Sequence, residues 1–356
     1  MSSCIPARYL PAPVVLYRAL VARDSTFDGL FVAGVITTGV FCRPTCGARK
    51  PKPENVEYFA SAADALQHGY RPCKLCNPLG VPGEAPAWLQ PLLDDVHADP
   101  QRRWRDQDLR DRDLEPDRVR RWFQKHHGMT FHAYGRALRL ATAFGRLGSG
   151  DGVVESAFGA GYESVSGFAE AFAKTTGRSP AQSRTLRLIR IARVLTPLGP
   201  MVAGATDEGL CLLEFADRRM LETQIGRIQK ALGARALPGA SPHVAKLEQE
   251  LAEYFSGARR IFSVPLVTAG TPFQERVWSA LQAIPYGETR SYRDQADAIG
   301  RPEAVRAVAR ANGDNRISIL IPCHRVIGKD GQLVGYGGGV WRKRHLLELE
   351  RSTRGL

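Results

Sequence analysis

The sequence predicts a multidomain α+β chain. It reads as a small domain folded on four cysteines, an all-α middle, and an α/β part leading into a largely helical C-terminal domain. Three observations predict this. Two tight cysteine pairs, Cys42/Cys46 and Cys73/Cys76, fall close together near the start. An arginine-rich middle carries apolar residues at helical spacing between glycine breaks. Further on, MVAGATDEGLCLLEFA alternates around Glu208-Gly209 as a β-hairpin does.

Composition bounds the function. The chain has 356 residues, enough for two or three domains at about 150 each. Its net charge is +13, which favours a polyanionic partner, nucleic acid before a membrane surface. No apolar run reaches the roughly 18 residues of a membrane span, and the N-terminus lacks a signal-peptide pattern. A soluble, cytoplasmic protein without a membrane partner is therefore expected. Seven cysteines, an odd number, speak against a disulfide framework.

In order along the chain, residues 1–80 hold the four clustered cysteines. FCRPTC and RPCKLC each place two thiols within one turn of chain, and two such pairs fold over one tetrahedral ion. Thiolate ligands in a reducing setting select zinc. Zn²⁺ with four thiolates carries two net negative charges, so basic neighbours are needed, and Arg43, Arg49, Lys50, Lys52, Arg71 and Lys74 are close in sequence. A zinc-bound thiolate is still a nucleophile. Alkylation of one sulfur would remove one negative charge and raise affinity for DNA.

Residues 81–100 are proline-rich and read as a linker with one short helix. Residues 101–187 read as helical. Pro116 opens and Gly128 closes a helix with Val119, Trp122 and Phe123 on one stripe and Arg118, Arg120, Arg121 and Lys125 on the other faces. A connecting helix over about 130–147 leads to a second unit. In it Asp151 is the expected N-cap of a short helix, GAG the turn, and Val165, Phe168, Ala169 and Phe172 the stripe of the next helix. Helix, glycine turn, helix is a DNA-binding layout. A plain bundle with a solvated basic face has the same spacing; the metal module ahead of it favours DNA binding.

A break is expected at TPLGP. Residues 198–270 then give the hairpin, two amphipathic helices near 219–233 and 242–256, and RIFSVPLV as a return to the sheet. Cys211 falls in an alternating strand as core, and Cys4 reads as an exposed thiol without a role. Residues 271–356 are helical up to IPCHRV, with Trp278 and Phe273 as core. In RPEAVRAVARANGDN, Val305, Val308 and Ala309 form the expected buried stripe, and Arg306 rides on a slim, alanine-rich helix able to approach a duplex closely.

IPCHRVIGKDGQLVGYGGG resembles the active-site segment of the O6-alkylguanine-DNA alkyltransferases. The order FCRPTC, RPCKLC, a helix-turn-helix region of AraC type, then PCHRV resembles the Ada family, bifunctional methylated-DNA–protein-cysteine methyltransferases and transcriptional activators, over about residues 16–350. The resemblance implies a Cys4 zinc domain, an AraC-type double helix-turn-helix domain, and an α/β part plus a winged-helix-like alkyltransferase domain. By that resemblance Cys323 accepts a methyl from guanine O6 or thymine O4. His324 deprotonates it through a water, Glu350 polarises His324, and Asn315 braces the turn. Tyr292 helps turn the nucleotide out, and Arg306 enters the stack it leaves. Cys42 accepts a methyl from a phosphotriester, with Cys46, Cys73 and Cys76 as the other zinc ligands and Arg49 near the DNA backbone. The implied partners are alkylated duplex DNA, promoter DNA and RNA polymerase, met as a monomer.

The chemistry suits these residue types. A methyl on O6 lies inside the stack and needs extrusion of the base. A neutral thiol is a poor nucleophile and needs a base nearby. The thioether product is not cleaved by water, so each cysteine works once. A Cys-His hydrolase would need an oxyanion loop, and none is evident. A zinc-dependent transcription factor that binds damage without repairing it remains the alternative. Two features depart from the family pattern. The first helix-turn-helix opens with the highly charged RRWRDQDLRDRDL, leaving Trp104, Leu109 and Leu114 as anchors. The loop VGYGGGV is glycine-rich, which predicts flexibility and room for larger alkyl groups.

Overall fold

A computed structural model describes residues 10–24, 27–79, 85–183 and 187–353. Cys4 lies outside the described residues. Helix α1 (Pro13–Ala22) begins with proline at its first turn and buries Leu16, Ala19 and Leu20 against Leu30, Phe31 and Ala33. A four-stranded sheet follows, built from β1 (Val32–Val35), β2 (Val40–Cys42), β3 (Val56–Phe59) and, after the Ser61-capped helix α2 (Ala62–Gln67), β4 (Arg71–Pro72). The strand order is β3-β1-β2-β4. Strands β2 and β4 run parallel with Phe41 opposite Pro72. Cys42 at the end of β2 and Cys73 just past β4 therefore leave the sheet side by side.

The helical part starts earlier than the sequence suggested. The stretch read as a linker contains α3 (Gln90–Ala98), and its Leu92, Leu93 and Val96 join Trp104, Leu109, Val119 and Phe123 in one core. Helices α4 (Asp106–Arg110) and α5 (Pro116–His127) form the first unit, with Gly128 closing α5 in the left-handed conformation. Helix α6 (Phe131–Gly148) connects to α7 (Val153–Gly159) and α8 (Val165–Thr176). Gly152, not Asp151, caps α7; the Asp151 carboxylate instead pairs with Arg146 at 2.8 Å. Phe168 and Phe172 are fully buried, as their spacing predicts.

TPLGP is not a break. It is the tight turn between β5 (Arg187–Thr196) and β6 (Gly199–Ala205), closed by Thr196 Oγ1 donating to the Gly199 carbonyl at 2.6 Å. The sheet thus begins at Arg187, ahead of the expected break. With β7 (Leu210–Phe215) and, after α9 (Leu221–Leu232), β8 (Ala234–Pro238), the sheet order is β7-β6-β5-β8, with β8 parallel to β5. Cys211 is buried core, as expected. RIFSVPLV does not form a strand; among the described residues it pairs with the sheet at the Leu210–Leu266 bridge and packs Val264 and Val267 against it.

Helix α10 (Pro242–Phe255) covers one face of this sheet, and the remaining elements pack on the same core: α11 (Pro272–Gln282), β9 (Arg290–Ser291), α12 (Tyr292–Ala298), α13 (Val305–Gly313), β10 (Val326–Ile327) and α14 (Val340–Ser352). Leu213, Leu247, Trp278, Val308, Ile317 and Leu346 share that core, so the expected boundary at 270/271 is not a boundary in packing. No helix among the described residues is long and apolar enough to cross a membrane.

Candidate active site and metal centre

The turn that carries Cys323 begins where α13 ends. Leu213 of β7 donates to the Arg316 carbonyl and accepts from Ser318 N–H, both at 2.8 Å, so residues 316–318 extend the sheet edge. The next residue, Ile319, sits at φ 72°, unusual for a β-branched side chain. That reversal sends Ile321 and Pro322 back under the helix. Asn315 then spans the turn from inside. Its Nδ2 donates to the Ile321 carbonyl at 2.8 Å and to Cys323 Sγ at 3.3 Å, and its Oδ1 accepts from Ile317 N–H at 3.0 Å.

Cys323 is buried, and burial raises its thiol above the ordinary range against the opposing pull of the Asn315 hydrogen bond. At rest it is a thiol, so its use as a nucleophile would need a base. His324 follows in the same short 3₁₀ turn and is fully buried. Its Nε2 lies 2.9 Å from Glu350 Oε1. Burial would raise the Glu350 carboxyl. The hydrogen bonds from His324 and the two from Arg325 outweigh it and hold the group well below the carboxylate range. Tyr254 hydroxyl and Gly287 N–H also donate to Glu350, at 2.8 and 3.1 Å. Burial meanwhile lowers His324, which keeps it neutral. With Glu350 ionised, Nε2 bears the ring proton, and Nδ1 is left as the acceptor without a protein partner among the described residues.

Two further elements close the site. The parallel pairing of β10 with β9 sets Val326 beside Arg290 and brings half-buried Tyr292 to the turn, its hydroxyl 3.4 Å from the Val334 carbonyl. Helix α14 supplies Glu350 and also Lys343, whose fully buried Nζ donates to the carbonyls of Val326 (2.5 Å), Val334 (2.8 Å) and Gly335 (3.3 Å). Burial brings Lys343 down to about 8.

Helix α13 buries Val308, Ala311 and Asn312, while Ala309 faces solvent, so the expected stripe is rotated by one position. Its open face carries Arg306, Ala307, Ala309, Arg310 and Gly313. The glycine-rich loop is held rather than loose. A Cβ on Gly338 would lie 2.4 Å from the Phe215 ring, and one on Gly337 would lie 2.7 Å from the Arg218 guanidinium. Here glycine is a packing requirement.

In the first module the four Sγ atoms of Cys42, Cys46, Cys73 and Cys76 all lie within 4.8 Å of one another. Tetrahedral zinc with Zn–S of about 2.3 Å sets S···S near 3.8 Å, so the donors fit such an ion. Four thiolates this close cannot coexist without a cation. Hydrogen bonding between Cys42 and Cys76 raises the first thiol and lowers the second to about 5. Cys76 Sγ accepts Arg43 N–H at 3.4 Å and Cys46 Sγ accepts Ala48 N–H at 3.5 Å. Among the described residues no such main-chain bond reaches Cys42 or Cys73. Cys42 is the more buried of these two. Arg49 is exposed beside the module, and Lys50 donates to the Pro44 and Cys46 carbonyls at 3.1 and 2.9 Å.

Comparison with known proteins gives three matches in succession along the chain. The metal binding domain of Ada matches residues 15–78, a helix-turn-helix domain 113–185, and the DNA binding domain of 6-O-methylguanine DNA methyltransferase 272–352. The bifunctional transcriptional activator/DNA repair enzyme Ada of Escherichia coli K12 is 36% identical over 95% of this chain and 96% of its own. The chain belongs to the Ada family. This Ada-family chain is also similar, at 61% identity over 29% of its length and 62% of the relative, to the methylated-DNA–protein-cysteine methyltransferase of Mycobacterium bovis. The structure of Mycobacterium tuberculosis OGT in complex with DNA is 43% identical, covering 47% of this chain and 94% of that one with a TM-score of 0.39. The metal of the Ada-type four-cysteine module is zinc.

Reasoning from sequence missed Arg325, Tyr254 and Lys343, and also Glu214 and Arg218, a buried ion pair whose carboxylate accepts from Ser318 and whose guanidinium donates to the Asn315 carbonyl beside the Cys323 turn. A signal for Glu214 was present: a lone carboxylate inside the otherwise apolar run LCLLEF. Arg325 stood in the quoted CHRV motif, but nothing local showed that it turns back onto Glu350.

Proposed function

We propose that this chain repairs alkylated duplex DNA by irreversible methyl transfer to two of its own cysteines, and that one of the transfers makes it a transcriptional activator. The observation that carries the reading is Cys323. It is a buried thiol, braced by Asn315, followed by a histidine seated on an ionised Glu350, and set beneath a helix that exposes Arg306. A duplex against α13 has its target base turned out towards the thiol. Arg306 fills the space left in the stack, offsetting part of the few kcal/mol that extrusion costs. Tyr292 stands where it supports the extruded base.

Cys323 gives its proton to His324 Nδ1 through a bridging water, and the Glu350 carboxylate steadies the imidazolium that forms. The sulfur attacks the methyl carbon, an S–C bond forms, and the C–O bond to guanine O6 breaks. The departing guanine takes up the proton that Cys323 gave to His324, returned through the water, and leaves as the restored base. The same geometry serves thymine O4. No group in the site reverses a thioether, so the protein is consumed.

In the zinc module Cys42, Cys46, Cys73 and Cys76 hold the ion, which when bound keeps their sulfurs deprotonated at neutral pH. Cys42 takes a methyl from a phosphotriester. Among the described residues its sulfur takes none of the N–H···S bonds that quiet Cys46 and Cys76, and Arg49 approaches the DNA backbone beside it. Loss of one negative charge then strengthens binding to promoter DNA. The helical part grips that DNA with exposed Arg120, Arg121 and Lys125 of α5. The activated protein acts as a monomer on RNA polymerase in the cytoplasm.

The test is peptide mass spectrometry of the zinc-loaded protein after incubation with methylated duplex. A methyl on both Cys323 and Cys42 is expected. A mark on Cys73 in place of Cys42 would reassign the phosphotriester acceptor. No mark on any cysteine would leave a damage-binding transcription factor.

A further inference from the structure

We propose that Arg218, seated on the buried Glu214 carboxylate, is a positioning residue that fixes three pieces of the Cys323 site against strand β7: the end of α13, Asn315, and the glycine loop that closes over the base. The proposal rests on the reading of Cys323 as the methyl acceptor.

All six residues of β7 are buried, and Glu214 is among them. A carboxylate there is costly unless every oxygen has a partner. One oxygen takes the Arg218 guanidinium and the other the Ser318 hydroxyl. Arg218, only 8% exposed in its side chain, spends its remaining donors on the reaction site. Nη2 donates to the Gly313 carbonyl at 2.5 Å and Nη1 to the Asn315 carbonyl at 3.1 Å. Gly313 ends α13, so a cation there meets an unpaired carbonyl at the negative end of the helix. The third contact is to the closing loop, whose Gly337 leaves no room for a side chain against the guanidinium.

The consequence is geometric. Arg306 stands at the start of α13 and Cys323 follows the turn after it. The base that α13 displaces must arrive within reach of the sulfur. Arg218 fixes the end of the helix, Glu214 fixes Ser318 next to the reversal at Ile319, and Asn315 carries both constraints to Cys323 Sγ. The α/β part therefore sets the position of the turn that reacts and is more than a platform for it. Arg218 acts through Asn315, not on the methyl group.

The test uses the full-length, zinc-loaded chain. Replacing both charges together (Arg218→Met with Glu214→Leu) avoids stranding either one, and Arg218→Lys retains the charge but not the fork. Single-turnover methyl transfer from O6-methylguanine duplex is followed over a range of DNA concentration. The pH profile of Cys323 alkylation by iodoacetamide is taken without DNA. The expected result for the double variant is a plateau rate lower by at least about tenfold, with half-saturation within about threefold of the parent. Its alkylation profile should move to higher pH as the Asn315 bond to the sulfur weakens, because the Glu214 charge that raises the thiol and the Arg218 charge that lowers it are removed together. Arg218→Lys should fall between, and it carries the test if the double variant does not fold. An unchanged plateau and profile in a folded variant would overturn the proposal. A parent chain left unmarked at Cys323 would overturn the reading beneath it, a result visible before any variant is compared.

Discussion

His324 Nε2 lies 2.9 Å from Glu350 Oε1, and both side chains are fully buried. Glu350 also takes two bonds from Arg325, so its negative charge has a permanent cation and does not depend on a charged histidine. This leaves His324 neutral with Nδ1 open, the state a proton acceptor needs. Removing the carboxylate strands a buried guanidinium. Glu350→Ala is expected to destabilise the C-terminal part by about 3–5 kcal/mol, read by chemical denaturation. In Glu350→Gln the stability deficit should depend on pH. The folded carboxyl is depressed, so its contribution is complete above the unfolded value near 4.3 and is lost as pH falls towards the folded one. The gap between parent and variant should close on acidification. A constant gap would mean that Glu350 does not carry a buried charge.

Cys323 shows the opposite shift. Burial lifts the thiol, and the Asn315 bond partly offsets this. Alkylation of Cys323 by a small electrophile should therefore rise with pH through a range above that of an exposed thiol. Asn315→Ala, which removes the offsetting donor, should push the profile higher still. The same change strips a partner from the Ile321 carbonyl, costing about 1–3 kcal/mol. A profile that moves to lower pH would show that Asn315 does not bond the sulfur.

The cluster of four sulfurs predicts an unequal response to substitution. Cys46→Ala should abolish zinc retention and unfold the first module, because the buried Cys46 sulfur is both a ligand and the acceptor of the Ala48 N–H. Cys42→Ala should weaken zinc binding while abolishing phosphotriester transfer. Zinc content by metal analysis, alongside transfer from a methylphosphotriester duplex, separates the two. Full transfer by Cys42→Ala would exclude Cys42 as acceptor. Chelation should remove that activity and leave transfer to Cys323, which no ligand of the cluster touches.

Gly338→Ala tests whether the closing loop is held or loose. An added methyl would meet the Phe215 ring at 2.4 Å, and overpacking of this kind costs about 1–3 kcal/mol. Slower transfer from O6-methylguanine is expected, together with lower thermal stability. A neutral result would restore the expectation of a flexible loop drawn from its glycine content.

Much of the organisation was legible because it is written in local patterns. Cysteine spacing named the metal site. Proline and glycine punctuation gave α5 and its end, and alternation around Glu208-Gly209 gave β6 and β7. Local reading failed where a residue's partner is remote. Asp151 looked like a cap but found Arg146. Ala309 was placed on the buried stripe although the packing of α13 turned it outwards. TPLGP looked like a domain break, although strand pairing on both sides makes it a turn.

The sequence by itself determined which chemistry the chain carries, since the adjacent thiol and imidazole and the four metal-binding sulfurs are fixed by residue type and short spacing, while the carboxylate was named only by family resemblance. The tertiary structure decided how those groups behave. Glu350 reaches His324 only because α14 packs back on the turn, and its charge is stable there only because Arg325 arrives with it. Cys323 is held by Asn315, and Asn315 by Arg218 from the turn after β7, far earlier in the chain. The physical reason is that burial multiplies the cost of an unpaired charge, so the partners of a buried charge are chosen by the fold and not by neighbours in sequence.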